Sequence, residues 1–311
     1  MKLTVYIPCY NAEPYIEQSI RGLLNQSRPP DEILVVDDGS KDRTVELASK
    51  FPVRIVRHEQ NKGLAAARNT AFRHASHDLV GAIDADVRVE REWLEHLVSH
   101  FADPRVVGTG GRLMEAFREA PADAWRALQL SQDLGNEQIV IEGRSHKCLG
   151  GFGTIFRKGT VEEVGCYNES YRTNYEDVDL CKRIVRAGHR LIFEPRAVAY
   201  HQRRDTIRSV IRTAWNWDFY LHYFRGGYNR IWLKILFNFR FARVLAWNHL
   251  RAGHLSLLPI DLRLPFQHSK MDLRYHFSNA RLDYIDAPPN QSAVYIPWPF
   301  RNYLKSRSAP S

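Results

Sequence analysis

Leu79-Val80-Gly81-Ala82-Ile83-Asp84-Ala85-Asp86 is a short apolar run that ends in two aspartates one residue apart. A run this brief, apolar and preceded by a polar segment reads as a buried strand. The C-terminal edge of such a strand is where open α/β sheets place their ligands. Two carboxylates projected there, with the small Ala85 between them, suit a divalent cation. Hard cations take oxygen ligands, and Mg²⁺ or Mn²⁺ shares its shell with substrate phosphates. Alone, Asp-x-Asp equally describes a strand followed by an acidic turn, so the surrounding sequence has to decide.

Upstream lie three more strand-like runs: Leu3 to Ile7, Ile33 to Val36 and Val53 to Val56. Between the first two, Ile16, Ile20, Leu23 and Leu24 recur at helical spacing. Asn11 stands where a helix cap belongs, Pro14 fits a first turn, and Pro29-Pro30 stops the helix. Ser40 or Asp42 is placed to cap a second helix from Thr44 to Lys50, and the Ala-rich stretch Leu64 to His74 reads as a third. This alternation implies a parallel, doubly wound sheet. Asp37-Asp38 ends the second strand as Asp84 and Asp86 end the fourth, so both acidic pairs fall on one edge. Neither G-x-G-x-x-G nor G-x-x-x-x-G-K-[ST] occurs. An anionic nucleotide here would need a metal rather than a glycine cradle.

With 311 residues, 44% hydrophobic and 25% charged, the chain suffices for one large domain or two ordinary ones. The net charge of +9 leans on the C-terminal third and attracts anions: phosphates, nucleic acid or an acidic membrane surface. No helix-turn-helix, zinc-finger or RNP signal is present, so no nucleic-acid partner is expected. Cys9, Cys148, Cys166 and Cys181 form no C-x-x-C pair, which fits a reducing cytosol. No h-region precedes Leu3 and no uncharged apolar run approaches a membrane span, so neither a secretory signal nor a spanning helix is expected.

Several segments follow one another in a familiar order: Ile7-Pro8-Cys9-Tyr10-Asn11-Ala12-Glu13, Val35-Val36-Asp37-Asp38-Gly39-Ser40-Lys41-Asp42, and Asn61-Lys62-Gly63-Leu64-Ala65-Ala66-Ala67-Arg68-Asn69. Asp84-Ala85-Asp86, Gly150-Gly151-Phe152-Gly153, Tyr175-Glu176-Asp177-Val178-Asp179-Leu180 and, more loosely, His201 continue it. Over residues 3–205 the chain resembles the family 2 glycosyltransferases of GT-A fold. The resemblance implies an α/β fold with a Rossmann-like, mostly parallel central sheet flanked by helices. Residues 1–205 would be the catalytic domain, with a nucleotide-binding part (1–110) and an acceptor and catalytic part (111–205). Residues 206–311 would be a helical extension and tail packing on it. The implied reaction is inverting and metal-dependent: a sugar passes from a nucleotide-diphosphate sugar to a hydroxyl of a glycan, a lipid-linked glycan or another small acceptor. The Gln-x-x-Arg-Trp pattern of processive members is missing, Arg212-Thr213-Ala214-Trp215 being at most a fragment, so one sugar per encounter is expected.

By the same resemblance, Pro8, Tyr10 and Glu13 sit beside the nucleotide, Tyr10 stacking on the base or packing as core. Asp38 accepts a hydrogen bond from the base, and Asp37 supports that loop. UDP or dTDP is the expected carrier, GDP the alternative. Arg68 contacts the diphosphate or is a surface arginine. Asp86 is the metal ligand and His201 completes the shell, an imidazole suiting Mn²⁺ better than Mg²⁺. Asp84, beside Ala85, faces the ribose or a metal-bound water, and Gly151 lies in the loop under the donor sugar. Asp177 is the general base, at the start of a helix whose apolar face is Leu180, Ile184 and Val185; a helix N-terminus stabilises a carboxylate. Glu176 binds acceptor or donor sugar, and Asp179 is a cap.

Farther on, Trp125, Leu128, Leu130 and Leu134 either shape the acceptor site or are core. Ile231 to Trp247 can be drawn as a helix with Ile231, Trp232, Ile235, Phe239, Ala242, Leu245 and Ala246 on one half and Lys234, Arg240 and Arg243 on the other, mixed with Leu233, Phe237, Phe241, Val244 and Trp247. Such a basic, aromatic helix packs on the catalytic domain, forms a dimer contact, or lies on an anionic membrane surface. The expected location is the cytoplasm, with the inner face of the membrane as a peripheral site. The tail from Pro288 reads as extended. Two rivals remain. One is a non-catalytic sugar-nucleotide-binding protein that retains the GT-A fold, which would have no need of Asp177. The other is a nucleotidyltransferase, which would need a glycine-rich basic loop near the N-terminus. The nucleotide base, sugar, acceptor and oligomeric state are left open by the sequence.

Overall fold

The computed structural model describes residues 1–143, 145, 147–171, 174–224 and 230–277; the tail from Pro288 lies outside them. In chain order the elements are β1 (Leu3–Cys9), α1 (Ile16–Leu24), β2 (Glu32–Asp37), α2 (Thr44–Ala48), β3 (Arg54–Arg57), α3 (Leu64–His74), β4 (Leu79–Ile83) and β5 (Val87–Val89). There follow α4 (Trp93–Ser99), β6 (Val106–Glu115), α5 (Pro121–Gln129), β7 (Ile139–Ile141), β8 (Gly153–Arg157), α6 (Lys158–Glu163) and α7 (Glu176–Arg186). The last are β9 (Arg190–His201), α8 (Ile207–Phe224), α9 (Ile231–Arg251) and α10 (Leu258–Phe277). They form two compact units: Met1–Ala116 with Gln132–Arg203, and Phe117–Ser131 with the described residues from Arg204 onward.

In the first unit the strands lie in the order β3-β2-β1-β4-β8-β6-β9-β5, with β7 beside β9. The first four are parallel, as their alternation with helices requires. β8 enters antiparallel to both β4 and β6, and β9 is parallel to β6. The central sheet flanked by helices is therefore the expected α/β class, with a mixed second half. β1, β2, β4, β6 and β9 all end at one edge, and β8 begins there. From β1 the chain runs outward to β2 and β3, then returns to β4 on the other side of β1. That reversal opens a crevice at the C-terminal ends of β1 and β4, where doubly wound sheets bind ligands.

Side chains alternate across the sheet as strand geometry dictates. Val5, Ile7, Ile33 and Val35 pack with Ile16, Ile20 and Leu23 of α1 and Trp93 and Leu97 of α4. Tyr6, Leu34 and Val36 pack with Ala67, Ala71 and Phe72 of α3 and Leu180 and Ile184 of α7. Burying each large apolar side chain is worth about 1.5–3 kcal/mol. Two local expectations change. Asn11 does not cap α1, which begins at Ile16; it is left-handed (φ 51°), and its Oδ1 accepts from Lys41 N–H at 2.9 Å. α2 ends at Ala48, and of its two candidate caps only Asp42 meets its first amide, Thr44 N–H, at 3.0 Å.

The second unit is helical. Trp125 and Leu130 pack with Val210, Ile211, Leu245, Ile260 and Leu264, whereas Leu128 is exposed; Leu134 belongs to the first unit's core. The wheel read for α9 is corrected: its buried stripe is Ile231, Lys234, Asn238, Ala242, Leu245 and His249, while Trp232 and Phe239 are exposed. Lys234 goes inside because acids from other helices receive it. Its Nζ is 2.6 Å from Asp218 Oδ2 and 3.5 Å from Asp272 Oδ2. A wheel of one helix cannot show partners on α8 and α10. Among the described residues no helix is long and apolar enough to cross a membrane.

Candidate active site

The strand ends bring distant residues to one edge of the first unit. Tyr10 follows β1 and is 46% exposed. Asp38 follows β2, Asp84 and Asp86 follow β4, Glu115 ends β6, and His201 ends β9. Gly151 leads into β8, and α7 opens with Glu176 and Asp177.

Gly151 is the junction. Its N–H donates to Asp177 Oδ2 at 2.8 Å, and its carbonyl accepts from Arg68 Nη1 at 2.8 Å. A Cβ there would lie 2.8 Å from Arg68 Nη2 and 3.2 Å from Asp177 Cβ, so a side chain would push on both groups. Asp177 also accepts from Val178 N–H at 2.7 Å through Oδ1. Both its oxygens are thus oriented by backbone amides, one from the loop before β8 and one from the start of α7. Tyr175, just before α7, holds a left-handed conformation (φ 77°) that costs a bulky residue about 1–3 kcal/mol. Its ring packs 5.7 Å from Tyr171, and its hydroxyl accepts from Lys182 Nζ at 2.8 Å. Asp179 is not a cap: it pairs with Arg183 at 2.8 Å.

Arg68 is not a surface arginine. Its guanidinium is buried against Asp84 Oδ1 (3.0 Å), the Gly151 carbonyl and Glu176 Oε1 (3.4 Å). It ties the turn after β4, the loop before β8 and the start of α7 together. Glu176 is also buried. Burial and the adjacent Asp177 push its carboxyl up to about 8, against the pull of Arg68, so it stays protonated at neutral pH. Glu176 Oε2 and Arg68 Nε have no hydrogen-bond partner. Burial raises Asp84 as well; Arg68 and His201 oppose this, and Asp86 and Asp177 add to it.

Asp86 Oδ2 lies 3.0 Å from His201 Nε2, and His201 Nδ1 lies 3.1 Å from Glu115 Oε2. A neutral imidazole between two carboxylates donates to one and turns a lone pair on the other. A cation at Asp86 and His201 relieves that repulsion, while Glu115 fixes the tautomer. Ligand atoms on adjacent positions of an Mg²⁺-sized ion stand about 3 Å apart, which this pair matches. Asp84, Asp86, Glu115 and Asp177 also outnumber Arg68, an imbalance that favours a bound cation. The residues therefore fit a divalent ion. Among the described residues no three His, Cys, Asp or Glu side chains form a cation cage. Phosphate oxygens and water would have to supply the rest of the shell.

Asp38 is turned into its own loop. Oδ1 is 2.7 Å from His58 Nδ1 and accepts from Lys62 N–H (2.9 Å); Oδ2 accepts from Gly63 N–H (2.8 Å). Gly63, at φ 98°, supplies the left-handed turn that aims this amide. Asp38 is 3% exposed, and these contacts let its carboxylate shape the loop. Asp37 supports the same loop through Ser40 N–H (3.1 Å) and Arg57 Nε (3.0 Å). Glu13 pairs with Arg43 at 3.6 Å, Pro8 is buried in β1 opposite Val36, and the Ala85 carbonyl accepts from Ser19 Oγ at 2.6 Å. Glu115 and His58 escaped the sequence reading. Each stands at a strand end, and that position was the one available signal.

Residues 4–165 match the model of Glycosyl transferase family 2. The chain belongs to this family. The pre-mycofactocin glycosyltransferase of Mycobacterium tuberculosis is 33% identical over 217 residues, which are 67% of this chain and 44% of that protein. The family 2 chain thus spans under half the length of this relative. Among solved structures, Staphylococcus aureus TarS 1–349 in complex with UDP-GlcNAc superimposes with a TM-score of 0.55 at 21% identity, over 66% of this chain and 60% of that one. The mannosyltransferase PcManGT of Pyrobaculum calidifontis, in complex with GDP-Man and Mn²⁺, gives 0.52 at 21% identity, over 90% and 76%. These likenesses establish the fold, and the family match covers β1 to β4, where the acidic strand ends lie.

Proposed function

We propose that the chain is a non-processive, inverting glycosyltransferase that moves a sugar from a nucleotide-diphosphate sugar to an acceptor hydroxyl, with catalysis in the first unit. One observation carries this reading: at a single sheet edge, a cation-type pair (Asp86 and His201) accompanies a carboxylate, Asp177, fixed by two backbone amides. Asp177 takes the proton of the acceptor hydroxyl as its oxygen bonds to the anomeric carbon. The bond from that carbon to the diphosphate breaks, and the nucleotide diphosphate leaves with the electron pair. A single displacement inverts the anomeric centre. A positioned base accelerates such a step roughly 10²–10⁴-fold.

Asp86 and His201 are the residues that would hold Mn²⁺ or Mg²⁺. When bound, such an ion neutralises the phosphates and the charge developing on the leaving group. Arg68 acts as a positioning residue for Asp84, Gly151 and Glu176. Protonated Glu176 donates a hydrogen bond to a sugar hydroxyl. Tyr10 offers its exposed ring to the base. UDP and dTDP are the favoured carriers and GDP the alternative; TarS with UDP-GlcNAc and PcManGT with GDP-Man support a nucleotide-sugar donor without choosing between them. The buried or half-buried free cysteines support a cytoplasmic site.

Thermal unfolding with a panel of nucleotide sugars, with and without Mn²⁺, tests the reading. A ligand at 100 times its Kd adds about 2.7 kcal/mol. That is roughly 5–10 °C for a domain of this size. A metal-dependent shift with one nucleotide family is expected; no shift with any donor contradicts it. Donor binding with no nucleotide diphosphate released to any acceptor would instead mark a sugar-nucleotide-binding protein.

A further inference from the structure

The second unit has an unusual distribution of charge and apolar surface. Between residues 230 and 277 the sole acidic residues are Asp261 and Asp272, and both are fully buried. Asp261 receives Trp125 Nε1 at 2.8 Å and lies 2.6 Å from His249 Nδ1. Asp272 receives Trp215 Nε1 at 2.8 Å and Asn238 Nδ2 at 2.7 Å. Over the same stretch Arg240, Arg243, Arg251, Arg263 and Lys270 are exposed. The outer surface of α9 and α10 therefore carries cations and no anion.

That surface is also apolar. Trp232 is 71% exposed, Trp247 57%, and Leu262 and Phe266 64% each, with Leu236 and Phe239 beside them. At 100° per residue, Trp232, Leu236, Phe239, Arg243, Trp247 and Leu250 share one arc of about 80° on α9. It lies opposite the buried stripe of Lys234, Asn238 and His249. Phe239 of α9 and Phe266 of α10 meet edge to face at 5.1 Å, which joins the two helices' outer faces into one patch.

We infer that this face docks on the surface of an anionic lipid bilayer. Indole rings favour the headgroup boundary, leucines and phenylalanines enter the acyl edge, and arginines pair with anionic headgroups. A second copy of the chain fits poorly, because it would bring the same cations into register. Nucleic acid fits poorly because leucine side chains make up much of the patch. No described helix can cross a membrane, so the contact lies in the plane of the interface. It draws on the second unit alone and requires no sugar donor, so its failure would leave the glycosyl-transfer reading untouched.

The test is co-sedimentation of the full chain with vesicles of phosphatidylcholine alone and of phosphatidylcholine mixed with phosphatidylglycerol, at low and physiological salt. Binding to the anionic vesicles alone, weakened by salt, is expected. Arg240→Glu with Arg243→Glu should lower partitioning more than about tenfold. Trp232→Ser with Trp247→Ser should also weaken it, and both pairs should keep the wild-type melting temperature because all four side chains are exposed. Absence of binding to anionic vesicles at low salt overturns the inference, as does unchanged binding by the arginine pair. A concentration-dependent dimer dissolved by the tryptophan pair, without vesicle binding, overturns it in favour of a contact between copies. Binding of RNA but not vesicles overturns it in favour of nucleic acid.

Discussion

In the sheet unit, Arg68 sits among Asp84 and Glu176, with Arg68 Nε and Glu176 Oε2 left without hydrogen-bond partners. In the helical unit, Lys234 sits among Asp218, Asn238 and Asp272, and Trp215 donates to the same Asp272. No buried polar atom of Lys234, Asn238, Asp272 or Trp215 lacks a partner. A buried polar group without a partner costs about 1–3 kcal/mol. A fold tolerates that where a ligand completes the set. The completed network has no such opening and serves to fix how helices pack. The same device, a buried cation among acids, thus makes a site in one unit and a scaffold in the other.

The largest effects should come from breaking each device. Lys234→Met strands the buried Asp272 and should cost about 3–5 kcal/mol in urea unfolding, whereas Arg68→Met, at a position that faces the protonated Glu176 and the partly exposed Asp84, should cost less. Arg68→Met should also abolish donor binding, whereas Lys234→Met should leave it intact. Equal loss of donor binding in both variants would collapse the distinction.

Next in size are opposite pH dependences. Glu176 titrates near 8 in the folded chain against 4.5 unfolded. Between those values the folded chain holds a proton that the unfolded one has released, so stability falls as pH rises through the window. His268 is held down to about 4, against 6.5 unfolded, chiefly by burial. There the unfolded chain holds the extra proton, so stability falls as pH drops from 6.5 to 4. Each contributes on the order of 3–5 kcal/mol across its window. Glu176→Gln should flatten the alkaline side of a melting-temperature profile and His268→Gln the acidic side. A Glu176→Gln profile parallel to wild type would place that carboxyl in water.

The smallest effect concerns exposed aromatics. Tyr10→Ala and Trp232→Ala should each change stability by no more than about 0.5 kcal/mol. Tyr10→Ala alone should weaken donor binding, by about 2- to 10-fold if a base stacks on the ring. Titration calorimetry with the preferred donor separates the two.

Much of the sheet unit was legible because its signals are local. Leu64 to His74 is helix to the residue, and the apolar runs ending at Asp37 and Asp84 are the strands that carry the acidic pairs to one edge. What was not legible depends on pairing across the sheet or between helices. Glu115 reaches His201 only because β6 and β9 run side by side, and Asp38 turns inward because His58, just past the end of the neighbouring strand, meets it. Arg68 lies on an Ala-rich helix that packs closely on the sheet, which is why its surroundings are protein. Lys234 looked like a surface residue because the acids that bury it lie on α8 and α10.

The central claim is that Asp177 acts on the acceptor while the rest of the edge holds the donor. Asp177→Asn preserves the shape of the side chain and one of its two backbone contacts, because its amide oxygen can accept from Gly151 or Val178 N–H but its NH2 cannot accept from the other. Its rate of sugar transfer and its donor Kd, measured together, test the claim most directly. Transfer should fall by about 10²–10⁴-fold with donor affinity near wild type. Undiminished transfer would remove Asp177 from the mechanism.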